Sequence, residues 1–245
     1  MAGFQQVRVS ESFEVAGPAD ESLNFKGNLN PHRLFREWNF KELALDETNQ
    51  YTKYIDTTSA VALADGGITL TTAATNTKTC SYAFGGIHIK TAKNPTVEFK
   101  FQVDDITNFC VNAVLTDAVS EASGVLPFQI SGTTITDTAT DGAGFVLDTE
   151  QTTDRFYVVN TSNGTQAGTL LSALRAPFAA ATDIRVRVHL NSSGNAWYYF
   201  NGVFVGYKAS AVRTTIAYVP YFGIRNNNAS AHIATVRYAR LWEDV

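Results

Sequence analysis

Sulfur, proline and positive charge are all scarce in this chain: 245 residues contain two cysteines, one methionine and six prolines, with 19 Lys and Arg against 23 Asp and Glu. A chain of this length does not need a disulfide staple, so Cys80 and Cys110 are expected to be reduced, half-buried thiols. The formal charge of −4 excludes a nucleic-acid binder that relies on a basic surface. No apolar run approaches the roughly 18 residues needed to span a bilayer, so no membrane partner is expected. The opening residues Met1–Arg8 lack a basic region followed by an apolar core, so no export signal is expected. The four glycosylation sequons, at Asn160, Asn163, Asn191 and Asn228, therefore read as polar turns.

Catalytic signatures are missing as well. No G-x-S-x-G occurs, and no Cys–His spacing suggests zinc. Gly142-Ala143-Gly144 lacks the third glycine and the following helix of a nucleotide-binding loop. The histidines His32, His88, His189 and His232 are scattered, and His189 alternates with Arg185 and Arg187, as an exposed sheet residue would.

What the chain does have is alternation. Ile184–Leu190 reads apolar, charged, apolar without a break, the pattern of a strand with one buried and one wet face. The next stretch, Asn195–Tyr207, is two β-rich runs joined at Asn201-Gly202, residues that tolerate the positive φ of a type I′ hairpin turn. Val97, Phe99, Phe101 and Val103 share one face, opposite Glu98, Lys100 and Gln102. Val111, Ala113 and Leu115 are in phase, and further strands are predicted at 67–71, 82–84, 87–89, 144–147, 155–159, 168–171, 216–224 and 231–242. Residues 34–45 fit either an amphipathic helix or an opening strand, and the β-rich sequence that follows favours the strand. With turn signals every ten or so residues and no fixed repeat, the fold class is an all-β sandwich or barrel.

Residues 1–35 read differently. Phe4, Phe13, Phe25 and Phe35 are spaced widely in an irregular polar segment broken by Gly17-Pro18 and Asn30-Pro31. That pattern suits an extended arm that docks onto its own domain or a neighbouring subunit, or else a loosely ordered tail. The expected organisation is an arm over 1–35 and one β-sandwich domain over 36–245.

The run Asn195–Gly206 resembles the penultimate hairpin of concanavalin A-like, laminin-G-like jelly rolls, where an aromatic strand runs into Asn-Gly and then Val-Gly. Asp141–Asp148, Asp154–Tyr157, Tyr221–Asn226 and Val236–Trp242 fit the same pattern. The combination is similar to jelly-roll proteins of tailed-bacteriophage virions, as head-decoration or tail components. The resemblance implies a concanavalin A-like jelly-roll β-sandwich with an N-terminal arm, acting as a non-enzymatic capsid decoration or cement protein. It further implies a homotrimer bound to the major capsid protein through the arm phenylalanines, located on the virion after assembly in the host cytoplasm. The alternative is a carbohydrate-binding module in which Trp197, Tyr198 or Tyr199 stacks on sugar rings; of the aromatic run 197–200, one alternate pair should face outward.

Glycosidases of this fold carry acidic residues at i, i+2, i+4 on one strand, because cleavage needs two carboxyls about 5–9 Å apart. That triplet is missing here. Asp148 and Glu150 form the one acidic i, i+2 pair that follows a strand, and they read as a solvated turn. Asp104 and Asp105 are adjacent and so point to opposite faces. Calcium is held in related jelly rolls by loop oxygens, for which Asp104, Asp105, Asp137, Asp141 and Asn226–Asn228 are candidates; as ordinary turn formers they carry no cofactor assignment.

Overall fold

The computed structural model describes residues 33–38, 51–56, 58–64, 66–119, 125–131, 134–149, 156–166 and 179–244. Phe4, Phe13, Phe25, Glu150 and the strand predicted at 168–171 lie outside them. Strands are numbered β1 to β18 in chain order, and all of their pairings are antiparallel. The protein is an all-β, concanavalin A-like jelly-roll sandwich: the alternation predicted the all-β class, and the resemblance of the Asn195–Gly206 hairpin implied the jelly roll.

The first sheet runs β16 (Val203–Lys208), β15 (Ala196–Phe200), β14 (Ile184–Leu190), β7 (Thr96–Val103), β18 (Ile233–Asp244), β4 (Gly67–Thr71) and β3 (Ala60–Ala64), with β1 (Arg33–Trp38) also on β18. The second runs β13 (Thr165–Gln166), β12 (Phe156–Ser162), β11 (Gly142–Asp148), β8 (Phe109–Thr116), β17 (Ala217–Asn226), β5 (Thr79–Phe84) and β2 (Tyr51–Ile55), with β6 (Ile89–Lys90) on β17. A separate hairpin joins β9 (Phe128–Ser131) to β10 (Thr134–Asp137). The segment at 33–38 is strand, because β18 is twelve residues long and offers β1 an edge beyond the end of β4. No helix among the described residues is long and apolar enough to cross a membrane.

The main core lies between the sheets. Phe99, Phe101, Val186, Val188, Tyr198 and Leu241 from the first meet Phe84, Val111, Phe145, Phe156 and Phe222 from the second. The predicted inward sets of β7, β8 and β14 are all in this cluster. Asn201 (φ 48°) and Gly202 (φ 82°) both take positive φ, as the type I′ turn requires. The two cysteines are free and buried rather than half-buried. They cannot pair, because Cys80 faces the main core while Cys110 faces the opposite side of its sheet.

Burial pushes the hydroxyls of Tyr198 and Tyr221 and the thiol of Cys80 well above their ordinary values of 10.0 and 9.0. A raised folded-state value means stability that is complete below the unfolded value and lost as pH rises past it. The unfolding free energy measured in urea should therefore show no loss from these groups up to about pH 8 and then fall, by about 1.4 kcal/mol per pH unit for each group whose unfolded counterpart has ionised, with the urea midpoint falling in parallel. An unchanged midpoint from pH 8 to 11 would contradict the burial of these hydroxyls.

Candidate functional site

The outer face of each sheet is the place where a sandwich of this kind can present a site. On the second sheet, Cys110, Asn112, Val114 and Thr116 alternate away from the main core, yet all of β8 is buried. The β9–β10 hairpin explains this. Leu126, Phe128, Ile130 and Ile135 pack onto Val114, Val146, Val159 and Tyr221 as a second apolar cluster. The Asn112 side chain clips the hairpin at its backbone: its amide donates to the Phe128 carbonyl and its oxygen accepts from the Phe128 N–H, both at 2.9 Å. Arg225 adds a 2.7 Å bond to Gln129. Gly142 leaves room for Phe128, whose ring would stand 3.1 Å from any Cβ there. The face is roofed by the protein itself.

Asp148 sits under that roof and not in a solvated turn. It is buried and accepts from the Ile130 N–H at 3.3 Å and the Asn227 amide at 3.4 Å. No second carboxylate from β5, β8, β11, β12 or β17 shares this outer face.

The outer face of the first sheet is built differently. Glu98 on β7 lies between Arg187 on β14 and Arg240 on β18, its registered neighbours on either side. The Arg187 Nε donates to Glu98 Oε2 at 2.8 Å, with Nη2 at 2.5 Å. The Tyr238 hydroxyl donates to Oε1 at 2.7 Å, and the Arg240 Nη1 stands 3.8 Å from that oxygen. Arg240 also donates to Glu37 on β1 at 2.9 Å. Glu98 is 0% and Arg187 2% exposed, so this row is not the wet face that the alternation predicted. Aromatic side chains cover it: the Tyr238 ring lies 4.0 Å from the Arg240 guanidinium, and the Tyr199 and Trp242 rings lie 5.9 Å from that of Arg187. Burial, and then the Glu98 charge, push the Tyr238 hydroxyl upward, so it stays a donor.

Beside this row, three strands carry aromatic rings in register. His189, Trp197 and Tyr207 follow one another across β14, β15 and β16, with centroids 5.3 and 5.0 Å apart. Trp197 and Tyr207 are tilted by 54°, so they form two walls rather than a flat floor. Tyr199 and Phe204 make a second row at 5.7 Å, offset by a bulge at Tyr198/Tyr199. Tyr207 is 45% and Phe204 53% exposed. His189 is held by Thr96, 2.9 Å from its Nδ1.

Of the three residues proposed for stacking, Trp197 and Tyr199 face outward. Tyr198 is corrected: it points into the core, against Phe145, with its hydroxyl 3.4 Å from the Val159 carbonyl, and no ligand reaches it. Phe204 and Tyr207 were missed, although Tyr207 stands two residues beyond Val205 in the same β-rich run; the bulge breaks the alternation that would have exposed them. Phe35, read as part of the arm, lies on β1 with its ring 5.4 Å from Trp242. Of the loop residues weighed for calcium, Asp105, Asp141 and Asn226 are engaged internally. Asp141 accepts from the Arg213 N–H at 2.8 Å and its Nε at 2.7 Å, and Asp105 caps its own turn through Ile106 and Thr107. The Asn226 amide donates to the Ala73 and Thr75 carbonyls at 2.7 Å. Among the described residues no three His, Cys, Asp or Glu side chains gather as metal ligands.

No family model and no curated protein sequence matches the chain. Solved structures do. The potassium-bound carbohydrate recognition domain of Emp46p superposes with a TM-score of 0.60 at 12% identity, over 85% of this chain and 96% of that one. The β-glucanase of Bacillus licheniformis gives 0.58 at 10% identity, over 84% and 97%. LamAcat of Zobellia galactanivorans gives 0.61 at 8% identity, over 84% and 96%. At such identities the likeness shows the fold alone.

These neighbours correct the expectation of a phage virion protein. They include a carbohydrate recognition domain and a β-glucanase, and none of the three is described as a virion component. The capsid partner, the homotrimer on a head and the virion location fall with it. The cause is plain: the residues behind the virion resemblance encode hairpins, and hairpins specify a fold rather than a role.

Two substitutions test the two faces. Glu98→Gln removes the one carboxylate between two buried guanidinium groups and should destabilise the protein by about 3–5 kcal/mol in urea unfolding. Asn112→Ala should cost about 1–3 kcal/mol and speed amide exchange across β9 and β10 ahead of the rest of the sheet. Uniform exchange in the Asn112 variant would show that the clip does not hold the hairpin.

Proposed function

We propose that this protein is a carbohydrate-binding module that acts without cleaving its ligand, and that it holds sugar on the outer face of the first sheet. The observation that carries the reading is the pair of partly exposed rings Trp197 and Tyr207, 5.0 Å apart on neighbouring strands, with His189 beside them. A sugar has an apolar face of C–H groups and a rim of hydroxyls. It therefore suits aromatic walls flanked by polar side chains, which contribute a large contact area at little entropic cost. The buried Glu98 network makes the floor rigid, so little ordering is needed on binding. The fold's likeness to a carbohydrate recognition domain supports the reading.

The binding reading is favoured over a hydrolytic one by the state of the second sheet. Its outer face is filled by the β9–β10 hairpin, and Asp148 there is hydrogen-bonded to backbone and amide groups, with no second carboxylate on that face from the described residues of β5, β8, β11, β12 or β17.

Screening the full chain against an array of neutral and charged glycans should identify a bound class. Trp197→Ala and Tyr207→Ala should each weaken that binding by roughly tenfold or more, whereas Tyr198→Phe should leave it unchanged. The bound glycan should yield no new reducing ends after prolonged incubation. Absence of binding across the array, or binding indifferent to both ring deletions, would contradict the proposal.

A further inference from the structure

Phe204 and Tyr207 stand three residues apart on β16, so strict alternation would send them to opposite faces of the sheet. They share the outer face because the strand bulges. Tyr207 lies opposite Trp197 and Gly206 opposite Tyr198, whereas Phe204 lies opposite Tyr199, so Val205 is an extra residue with no position facing it on β15. Its side chain packs against the main core. The bulge thus brings a second exposed ring, Phe204, to the side that Tyr207 already occupies.

The result is two ring pairs in line along the strands: Trp197 with Tyr207, and Tyr199 with Phe204, their centroids 5.0 and 5.7 Å apart. On β15, which pairs residue for residue with β14, the two pairs are separated by two residues, about 7 Å at strand spacing. That is longer than one sugar ring and shorter than two linked units, so a ligand touching both pairs spans at least two units. The Tyr199 ring lies over the Arg187 guanidinium that Glu98 holds, so the second pair stands on the buried charge network. Within the pairs the rings are inclined by 54° and 66°, and they offer no common plane to the flat face of a crystalline polysaccharide. A coiled α-linked chain curves away from such a line. A single extended chain follows it.

We infer that the ligand is a single extended oligosaccharide that runs along β15 and β16 and is held through at least two of its units, with Phe204 making the second contact. This rests on the sugar-binding reading and narrows its ligand class. Phe204 is then the residue that distinguishes a chain from its single unit, since Trp197 and Tyr207 meet both.

NMR titration of the full chain tests it, using β-1,4-linked glucose, xylose and mannose oligomers of one, three and six units. Maltohexaose, whose α-1,4 chain coils, and microcrystalline cellulose serve as comparisons. At least one β-1,4 series should bind, its affinity rising about tenfold from one unit to three and little further to six. Maltohexaose and the crystalline solid should bind more weakly than that trimer. Phe204→Ala should bring the trimer down to the affinity of the single unit, whereas Phe204→Tyr should keep the rise. An affinity indifferent to length, or a Phe204→Ala variant that keeps the rise, overturns the inference and leaves sugar binding standing. So does binding of maltohexaose, of the crystalline solid or of any array glycan while every β-1,4 series fails. If no oligomer binds and the glycan array is also blank, it is the sugar-binding reading itself that fails.

Discussion

Glu98 organises the outer face of the first sheet. One carboxylate on a central strand receives Arg187 from one neighbouring strand and Tyr238 and Arg240 from the other. Taking three charges out of water is costly, and it is tolerated only where the geometry is good. Here the cost is offset by a network that reaches Glu37 on β1, so the strand that closes the sheet is tied to its centre. The rings that lie over these charges are fixed in turn: Tyr238 over Arg240, and Tyr199 and Trp242 near Arg187. The aromatic rows of β15 and β16 stand on this base.

The two outer faces show how one sandwich can close one surface and keep another open. Both have alternating polar positions in the sequence. On the second sheet Gly142 lets an apolar hairpin descend, and Asn112 binds its backbone as a strand partner would. On the first sheet, long charged and aromatic side chains fill the same layer from within. That leaves Phe204 and Tyr207 at the surface on the edge strand, next to Val203, which is 65% exposed. These exposed rings are the surface that the sugar-binding proposal uses.

Much of the fold was legible in the sequence, because inward alternation is set by the same apolar residues that make the core. The sets Val97–Val103 and Val111–Leu115, and the turn at Asn201-Gly202, all have local causes. Strands whose partners supply the reason for their existence were harder. The alanine-rich β3 has little β-propensity and forms because β4 offers it an edge, and β9–β10 forms because Asn112 and the apolar cluster beneath it hold it in place. Burial of the polar faces was not legible for the same reason: nothing near Arg187 or Asp148 in sequence says which side chains will cover them. The aromatic run announced itself, but the side that each ring takes depends on register. Only the pairing with β14 decides that Trp197 and Tyr199 go outward and Tyr198 inward.

The central claim is that ligand recognition occurs on the aromatic face of the first sheet and not on the roofed second sheet. Heteronuclear NMR during a titration with bound glycan tests it most directly, because the chain has three tryptophans in separate settings. The account predicts that the Trp197 indole resonance and the amides of β14 to β16 shift, while the Trp38 indole and the amides of β9 and β10 stay in place. Shifts concentrated around Asn112, Gln129 and Arg225, with Trp197 unmoved, would contradict it.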